Sequence, residues 1–209
     1  FLLGTYNRAL FTGVGTVQQP CVTYSATQDT LFLVQHVSGA AATYQLSTVT
    51  GTPAAPVLSL GTPRVNSLGA WVEPGGEILP QAPESLPGTG SRKIDSGDSR
   101  VLNAVYRNGG IYFAQTIGLP AGGPMTHTAA QWVKLAPDGS FVQGGRVDDP
   151  TATETNGGKW YAYPSLSVNK DEAVLLGFSQ FASDQSPAAG YAFHAGNDPA
   201  GTMQDPLVF

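Results

Sequence analysis

Five side chains between residues 98 and 163 are the strongest candidates for a ligand site: Asp98, Arg100, His127, Trp160 and Tyr163. Arg100 follows Asp98 by two positions in the segment GDSR, residues 97–100. The planar guanidinium of an arginine can bind a carboxylate or a phosphate through two parallel hydrogen bonds, and a nearby aspartate can hold it in orientation. The same spacing suits a purely structural ion pair between the two residues, so both interpretations stay open.

Aromatic residues are concentrated in the segment KWYAY, residues 159–163. Aromatic rings on a loop provide a platform for stacking sugars or an anchor for a protein partner. Successive side chains of a strand point to opposite sides, so Trp160 and Tyr161 are not expected both to face the interior. We therefore predict that part of this segment is available to a ligand, with packing between neighbouring sheets as the alternative.

Metal-binding patterns are weak in this sequence. The three histidines lie far apart and form none of the short spacings typical of zinc ligands: His36, His127 and His194. Asp148, Asp149 and Glu154 provide oxygen ligands of the kind that calcium prefers, although the ligand order of an EF-hand is absent. We predict no cofactor. The single exception is a structural calcium ion, which these acidic side chains could bind.

Catalytic motifs are absent from the sequence. It contains no G-x-S-x-G nucleophile motif, no phosphate-binding glycine loop and no dinucleotide fingerprint. A glycosidase needs two carboxyl groups that face one bond. Acidic residues that could form such a pair are dispersed: Asp98, Asp149, Glu154 and Asp184. The sequence does not show which of them approach one another, so whether the chain is an enzyme stays open.

Composition excludes several classes of protein. The 209 residues include only 10 Lys and Arg and have a formal net charge of −5, so nucleic acid, which is bound through clustered basic side chains, is not an expected partner. No apolar run approaches the roughly 20 residues of a membrane-spanning helix, so no membrane span is predicted. Cys21 is the only cysteine, which excludes a disulfide within the chain.

The elements that must position the candidate residues repeat along the chain. Three stretches share an alternating apolar strand, a polar reversal and a second apolar strand, with reversals at Asp29, at Asn108-Gly109 and at residues 169–172. Each is followed by a second hairpin, with turns predicted at residues 50–52, 137–139 and 196–198. Alternation with period two, interrupted by turn residues, is typical of β-hairpins. Each unit therefore supplies four antiparallel strands.

Four-stranded units in series are typical of the blades of a β-propeller. We predict one all-β domain over residues 1–209, with about three blades near residues 18–65, 99–149 and 160–209. Residues 66–98, rich in Pro and Gly, are predicted to be a connecting loop with one short strand at Leu68–Val72. Three blades cannot close a ring, so we expect half or a fragment of a larger propeller, or a half that pairs with another chain. A β-sandwich is the alternative fold.

Two segments within residues 97–209 carry a resemblance to known proteins: GDSRVLNAVYRNGGIYFAQTIGLP and YAYPSLSVNKDEAVLLGFSQF. They resemble parts of large, exported, uncharacterised bacterial β-propeller proteins and, more loosely, sialidase-like propellers. The resemblance implies secretion or display at the cell surface. The Asp-box turn of sialidases, similar to S-x-D-x-G-x-x-W, is matched only by Asp138 and Gly139. The sialidase arginine triad and Tyr/Glu pair could be assigned here by residue type alone: Arg64, Arg100, Arg146, Tyr163 and Glu154.

Loops from all blades gather at one mouth of a propeller, and we expect the five candidate residues there. The leading hypothesis is a secreted or surface binding module that recognises a glycan or a protein surface at this mouth. One alternative is a glycoside hydrolase or lyase, sialidase-like, that uses carboxylates in the same mouth. The other is a structural scaffold domain of a larger protein.

Overall fold

The computed structural model describes residues 9–82 and 92–209, and these ranges contain strands and no helix. The strands found there are, in chain order, β1 (Gln19–Pro20), β2 (Val22–Thr23), β3 (Leu31–Ser38), β4 (Thr43–Thr52), β5 (Ala55–Ser59), β6 (Arg64–Val65), β7 (Glu77–Leu79), β8 (Ile94–Asp95), β9 (Asn103–Arg107), β10 (Gly110–Leu119), β11 (His127–Leu135), β12 (Phe141–Val147), β13 (Trp160–Val168), β14 (Val174–Ala182), β15 (Gln185–His194) and β16 (Leu207–Val208). The predicted all-β class is confirmed. Within the same ranges, no helical segment could cross a membrane.

The strands form three large sheets and one small hairpin. The first sheet has the order β1-β3-β4-β5, with β6 also paired to β4. The middle sheet has the order β12-β11-β10-β9-β2, and the third has the order β13-β14-β15-β16. The small hairpin pairs β7 with β8. These pairs are antiparallel apart from β2 and β9, which run parallel.

The predicted double hairpins are present in the second and third units. β9 turns into β10 at Asn108-Gly109, where both residues have positive φ, 49° and 76°. Asn and Gly tolerate this backbone conformation best, which is why this pair is a strong turn signal. β13 turns into β14 through residues 169–173, and β11 reaches β12 across the predicted turn at residues 137–139.

The first unit differs from the prediction. The strand predicted around Val22 does not pair with β3; instead Gln19 and Pro20 pair with Val34 and Leu33, and β2 crosses to the middle sheet. Cys21, between the two strands, is buried, and its N–H donates to the carbonyl of Phe32. The alternating residues around Val22 therefore belong to a connection between two sheets, and the chain passes from the first sheet to the middle sheet directly after Cys21. The turn between β4 and β5 also falls two residues later than predicted, because the ladder continues to Thr52 and Ala55.

The middle sheet packs face to face between the other two. On one face, Phe113 of β10 meets Tyr44 of β4 edge to face, with ring centroids 5.9 Å apart. On the opposite face, Trp132 of β11 packs against His194 of β15, with ring centroids 5.2 Å apart. Every residue of β10 is buried as a result. The three layers exceed the two of a β-sandwich, and the described sheets are open at their edges rather than closed into a ring.

The first and third sheets each have one face turned away from the middle sheet, and we call these the outer faces. The register places Leu31, Val49 and Leu58 side by side on the outer face of the first sheet. It places Gly177, Tyr191 and Leu207 side by side on that of the third sheet, where Leu175 is also exposed. The paired strand positions that point outward carry no charged side chain on either face.

Residues 66–82 and 92–98 contain more regular structure than predicted, because they provide β7 and β8. The predicted strand at Leu68–Val72 is absent, and Val72 makes only an isolated bridge to Gly118. The small hairpin was not predicted, because a long Pro- and Gly-rich segment separates its two strands and offers many possible turns without identifying one pairing. It packs Leu79 against Trp160 and Phe181 on the upper part of the third sheet's outer face.

Candidate functional site

Loops from all three sheets meet at one end of the stack, which we call the upper edge. There β9, β11 and β13 begin, and β10 and β12 end. Val72 and Gly118 exchange two backbone hydrogen bonds of 2.9 Å, and the N–H of Trp71 donates to the carbonyl of Gly39 in the β3–β4 turn. The hydroxyl of Tyr163 donates to the carbonyl of Asp95. Residues 71, 72 and 95, which all belong to the predicted connecting loop, thus contact loops of all three sheets.

A hydroxyl, an imidazole and a carboxylate lie in line at the start of β11. Nδ1 of His127 is 2.9 Å from Oγ1 of Thr126, and its Nε2 is 2.7 Å from Oδ1 of Asp148. The imidazole is almost entirely buried, with 4% of its side-chain surface exposed, against 25% for Asp148. The ladder explains this placement, because β11 begins and β12 ends at the same corner of the middle sheet.

Arg146 is fixed on the same side of this corner. Its Nε donates to Oε1 of Gln131 at 2.8 Å, and its Nη2 donates to the carbonyl of Gly69 at 3.1 Å. Burial lowers the pKa of Arg146 and the charge of Asp148 partly restores it, so the guanidinium remains positive at neutral pH. A cation held by two protein acceptors can meet a ligand without much loss of side-chain freedom.

Two adjoining cavities open along the upper edge, and we call them together the upper-edge groove. One has a volume of about 580 Å³, and its walls include Thr126, His127, Arg146 and Asp148. The other has a volume of about 680 Å³, and its walls include Trp71 and Glu73. Their walls share two small residues: Ala70 and Ala121. The groove is therefore apolar in its middle and polar at both ends.

Glu73, which pairs with His36, forms the polar end of the larger cavity. Nε2 of His36 is 2.8 Å from Oε1 of Glu73, and the same oxygen accepts the N–H of Gly39 at 3.0 Å. Burial by itself raises the pKa of Glu73, but the hydrogen bond and charge of His36, with the Ser99 hydroxyl and the Gly39 amide, lower it below its ordinary value. Glu73 is thus held as a carboxylate.

Asp98 and Arg100 form an ion pair with each other within one loop. Nε of Arg100 lies 2.7 Å from Oδ2 of Asp98, and the side chains remain 58% and 42% exposed, respectively. Burial opposes the effect, but the hydrogen bonds and charge of Arg100 lower the pKa of Asp98. This geometry matches the structural ion pair that the sequence allowed. Arg100 remains exposed enough to contact a ligand.

Tyr163 lies beside this loop, and His127 lies elsewhere on the upper edge. The Tyr163 side chain reaches Asp95, three residues before Asp98, and the residue is 40% exposed with a positive φ of 54°. A backbone irregularity after Ala162 turns Tyr163 out of the sheet. The structure therefore groups Asp98, Arg100 and Tyr163 in one loop cluster and places His127 in the corner with Asp148.

Trp160 and Tyr161 are both buried, at 1% and 4% exposure, so the expectation that one of them faces solvent is wrong. Tyr161 packs towards the middle sheet, and Trp160 packs under the small hairpin with Leu79. Trp160 and Tyr161 do point to opposite sides of β13, but both sides of the strand are covered at this end. The Trp160 ring is consequently not a surface platform in this structure.

The acidic segment around Asp149 uses its oxygen atoms internally. Oδ1 of Asp149 accepts from the backbone and the hydroxyl of Thr151, and Oδ2 accepts the N–H of Lys159 at 2.9 Å. Burial opposes the effect, but these hydrogen bonds lower the pKa of Asp149. In the described ranges, no group of three His, Cys, Asp or Glu side chains could hold a metal ion.

Sequence reasoning missed Thr126, Trp71 and Glu73 as parts of the site. Trp71 and Glu73 come together with His36 only through the long connection, so no local pattern could identify them. Thr126 could have been found, since it precedes the candidate His127 and a β-hairpin places the end of β12 beside the start of β11. Comparisons with family models, with curated proteins and with solved structures found no match for this chain, so its function has to be inferred from the site.

Proposed function

We propose that the chain is a carbohydrate-binding module whose ligand occupies the upper-edge groove. The observation that carries the proposal is the pair of adjoining cavities, of about 580 and 680 Å³, that share Ala70 and Ala121. Each volume lies within the range of about 300–1,000 Å³ typical of small-molecule sites. An extended ligand of several sugar rings suits two cavities in series better than a single compact molecule does.

The walls of the groove suit a neutral, hydroxyl-rich ligand. Arg146 offers hydrogen-bond donors, and the threonines at 151 and 153 lie in the same wall. Because the carboxylate of Asp148 lies on the Arg146 side of the groove, it offsets much of the positive charge there. A phosphate or an acidic sugar would meet that carboxylate as well, so the balance of charge favours a neutral glycan.

The glycoside hydrolase alternative has weaker support. A general acid in a glycosidase needs a carboxyl group whose pKa is raised, so that it is protonated when the reaction begins. Glu73, Asp98 and Asp149 all have their pKa lowered by hydrogen bonds that outweigh burial. These three acids are therefore poor proton donors at neutral pH.

We also propose that the three stacked sheets are consecutive blades of an exported β-propeller, as the sialidase-like resemblance implies. Two observations support this proposal. A five-stranded sheet packs on one face of the middle sheet and a four-stranded sheet on the other, as neighbouring blades would, and the loops of all three sheets meet at one edge. The upper edge would then be part of the propeller mouth.

The binding proposal is tested by filling the groove. Ala121 lies on an exposed turn between the two cavities, so Ala121→Trp should occlude both and weaken binding on an array of neutral glycans at least tenfold. Ala54→Trp, on the exposed β4–β5 turn, is the matched control and should bind like the unaltered chain. Arg146→Lys keeps the charge but loses the planar fork, and we expect weaker binding here as well. Equal binding by Ala121→Trp and the unaltered chain would refute the proposal.

A second candidate function is scaffolding against a further β-sheet. The uncharged outer faces favour it, because charged side chains are normally excluded from surfaces that become buried in a sheet stack. This function would use the outer faces rather than the upper edge, so the two candidates are separable by mutation.

A further inference from the structure

We infer that Thr126, His127 and Asp148 form a nucleophile–base–carboxylate relay that hydrolyses a carboxylic ester bound in the smaller cavity of the upper-edge groove. The inference goes beyond the binding of a glycan and does not require that the ligand be a sugar. It rests on the order of the three groups, on the burial of the imidazole and on the opening of the threonine into a cavity.

The hydrogen bonds fix which imidazole nitrogen carries the proton. A carboxylate only accepts, so Nε2 of His127, 2.7 Å from Oδ1 of Asp148, is the protonated nitrogen. Nδ1 of the neutral ring then has a free lone pair 2.9 Å from Oγ1 of Thr126, where it can accept the hydroxyl proton. The carbonyl of Leu119, the other acceptor near this hydroxyl, is 3.5 Å away and competes weakly.

This arrangement has the logic of a serine-type triad with the two ring nitrogens exchanged. In such a triad, the carboxylate selects the tautomer and stabilises the imidazolium, and the other nitrogen activates the hydroxyl. Asp148 is therefore a positioning residue. Thr126 and His127 are the groups that would contact the reacting atoms.

Thr126 is exposed while the base is protected. Thr126 is exposed and belongs to the wall of the cavity of about 580 Å³, whereas His127 is 3% exposed. The N–H of Thr126 donates to the carbonyl of Leu119 at 2.8 Å, which fixes the backbone from which the hydroxyl projects. Arg146 lies in the wall of the same cavity, where its guanidinium can donate hydrogen bonds to an oxyanion.

The chemical steps balance without a further reactant except water. Oγ1 of Thr126 forms a bond to the ester carbonyl carbon as its proton moves to Nδ1 of His127, and the carbonyl electron pair moves onto oxygen. The tetrahedral intermediate collapses, the alkoxide leaves with the proton from Nδ1, and an acyl-threonine remains. Water then attacks this ester with His127 as the base, which releases the carboxylic acid and restores the Thr126 hydroxyl.

The relay is tested with p-nitrophenyl acetate as the probe and the whole chain as the enzyme. Thr126→Val removes the hydroxyl at nearly constant shape and should reduce the rate to that of the uncatalysed reaction, whereas Thr126→Ser should remain active. Thr50→Val, at an exposed threonine of β4, is the matched control and should retain the full rate. Asp148→Asn should lower kcat by roughly 10²–10⁴-fold with little change in KM, because it orients the base rather than the ester.

A covalent trap provides a second measurement. A fluorophosphonate should add once to the unaltered chain, peptide mapping should place the adduct on Thr126, and Thr126→Val should remain unmodified. Near-UV circular dichroism confirms that each variant is folded. Hydrolysis that survives Thr126→Val, or a folded chain with neither turnover nor adduct, would overturn the inference. Neither result would affect glycan binding in the Ala121→Trp experiment, so the two proposals can fail separately.

Discussion

The chemistry of the upper edge depends on which side chains are already held by their neighbours. Arg100 pairs with Asp98 two residues away and stays largely exposed, whereas Arg146 is fixed by Gln131 and Gly69 in the wall of a cavity. An arginine held by protein acceptors presents a defined geometry to a ligand, while an exposed one must be ordered on binding. Arg146 is therefore the better prepared of the two for ligand recognition.

Glu73 should make the stability of the chain depend on pH in the acid range. Its pKa in the folded protein lies below the ordinary value of 4.5, so its contribution is present above that value and is lost as the pH falls through the folded pKa. We expect Glu73→Gln to lower the melting temperature at pH 7 and to flatten the loss of stability on acidification. Thermal unfolding between pH 7 and pH 3 measures both effects.

Glu77→Gln, at an exposed glutamate of β7, is the control for this measurement. It should leave the acid dependence close to that of the unaltered chain. Asp98 and Asp149 also have a lowered pKa, so part of the acid dependence will remain when Glu73 is replaced. If the melting temperature of Glu73→Gln fell as steeply on acidification as that of the unaltered chain, the His36–Glu73 pair would contribute nothing to the pH dependence of stability.

The small hairpin shows how an element can change the role of a residue. Trp160 begins β13 and would lie on the outer face of the third sheet if β7 and β8 did not cover it. With Leu79 and Phe181 it forms a compact apolar cluster. Its aromatic character therefore stabilises the connection across the upper edge, and a ligand has no access to the ring.

Trp160→Ala should therefore destabilise the fold. Removing a buried aromatic side chain that packs on a short hairpin is expected to cost about 3–5 kcal/mol, measured by chemical denaturation. Tyr163→Ala, three residues along the same strand but 40% exposed, should cost much less. If Trp160→Ala folded with unchanged stability but lost glycan binding, the result would instead support the prediction that the Trp160 ring contacts a ligand.

The elements that the sequence predicted correctly have local signals. The Asn108-Gly109 turn, the reversal after β13 and the turn at residues 137–139 are all decided by residues close together in the chain. The errors concern distant partners: β2 joins the middle sheet rather than β3, and β7 pairs with β8 across a long Pro- and Gly-rich segment that does not identify one turn. Pairing of this kind is set by tertiary packing, which local propensity does not report.

The same distinction applies to the candidate site. His127 could be selected from its residue type, but its partnership with Asp148 depends on the register of β11 and β12. The association of His36 with Glu73 and Trp71 depends on the course of a long connection. A sequence shows which side chains can do chemistry, whereas the ladder and the connections decide which of them meet.

The three described sheets form a stack, and the paired strand positions on its two outer faces carry no charged side chain. Leu175, at 43% exposure, and Tyr191, at 36%, lie on the outer face of the third sheet. Apolar side chains on an uncharged sheet face promote association with other protein surfaces. This property belongs to the assembly of sheets rather than to any single strand.

We expect the chain to associate as its concentration rises, and Leu175→Lys to weaken this association. Because the side chain is already exposed, the free energy of unfolding should change by less than about 0.5 kcal/mol. Val142→Lys, at an equally exposed position on the edge strand β12, is the control and should associate like the unaltered chain. Sedimentation velocity over a range of concentrations is the measurement, and equal association by Leu175→Lys would argue against a role for this face.

The connection across the upper edge also constrains the order in which the chain can assemble during synthesis. The amide of Ala82 donates to the carbonyl of Gln185, and Leu79 packs against Phe181, so an early segment takes its partners from a sheet made much later. A two-stranded hairpin is not stable alone. The hairpin of β7 and β8 therefore cannot complete its packing until β14 and the start of β15 have been synthesised, and until then Leu79 stays accessible to chaperones.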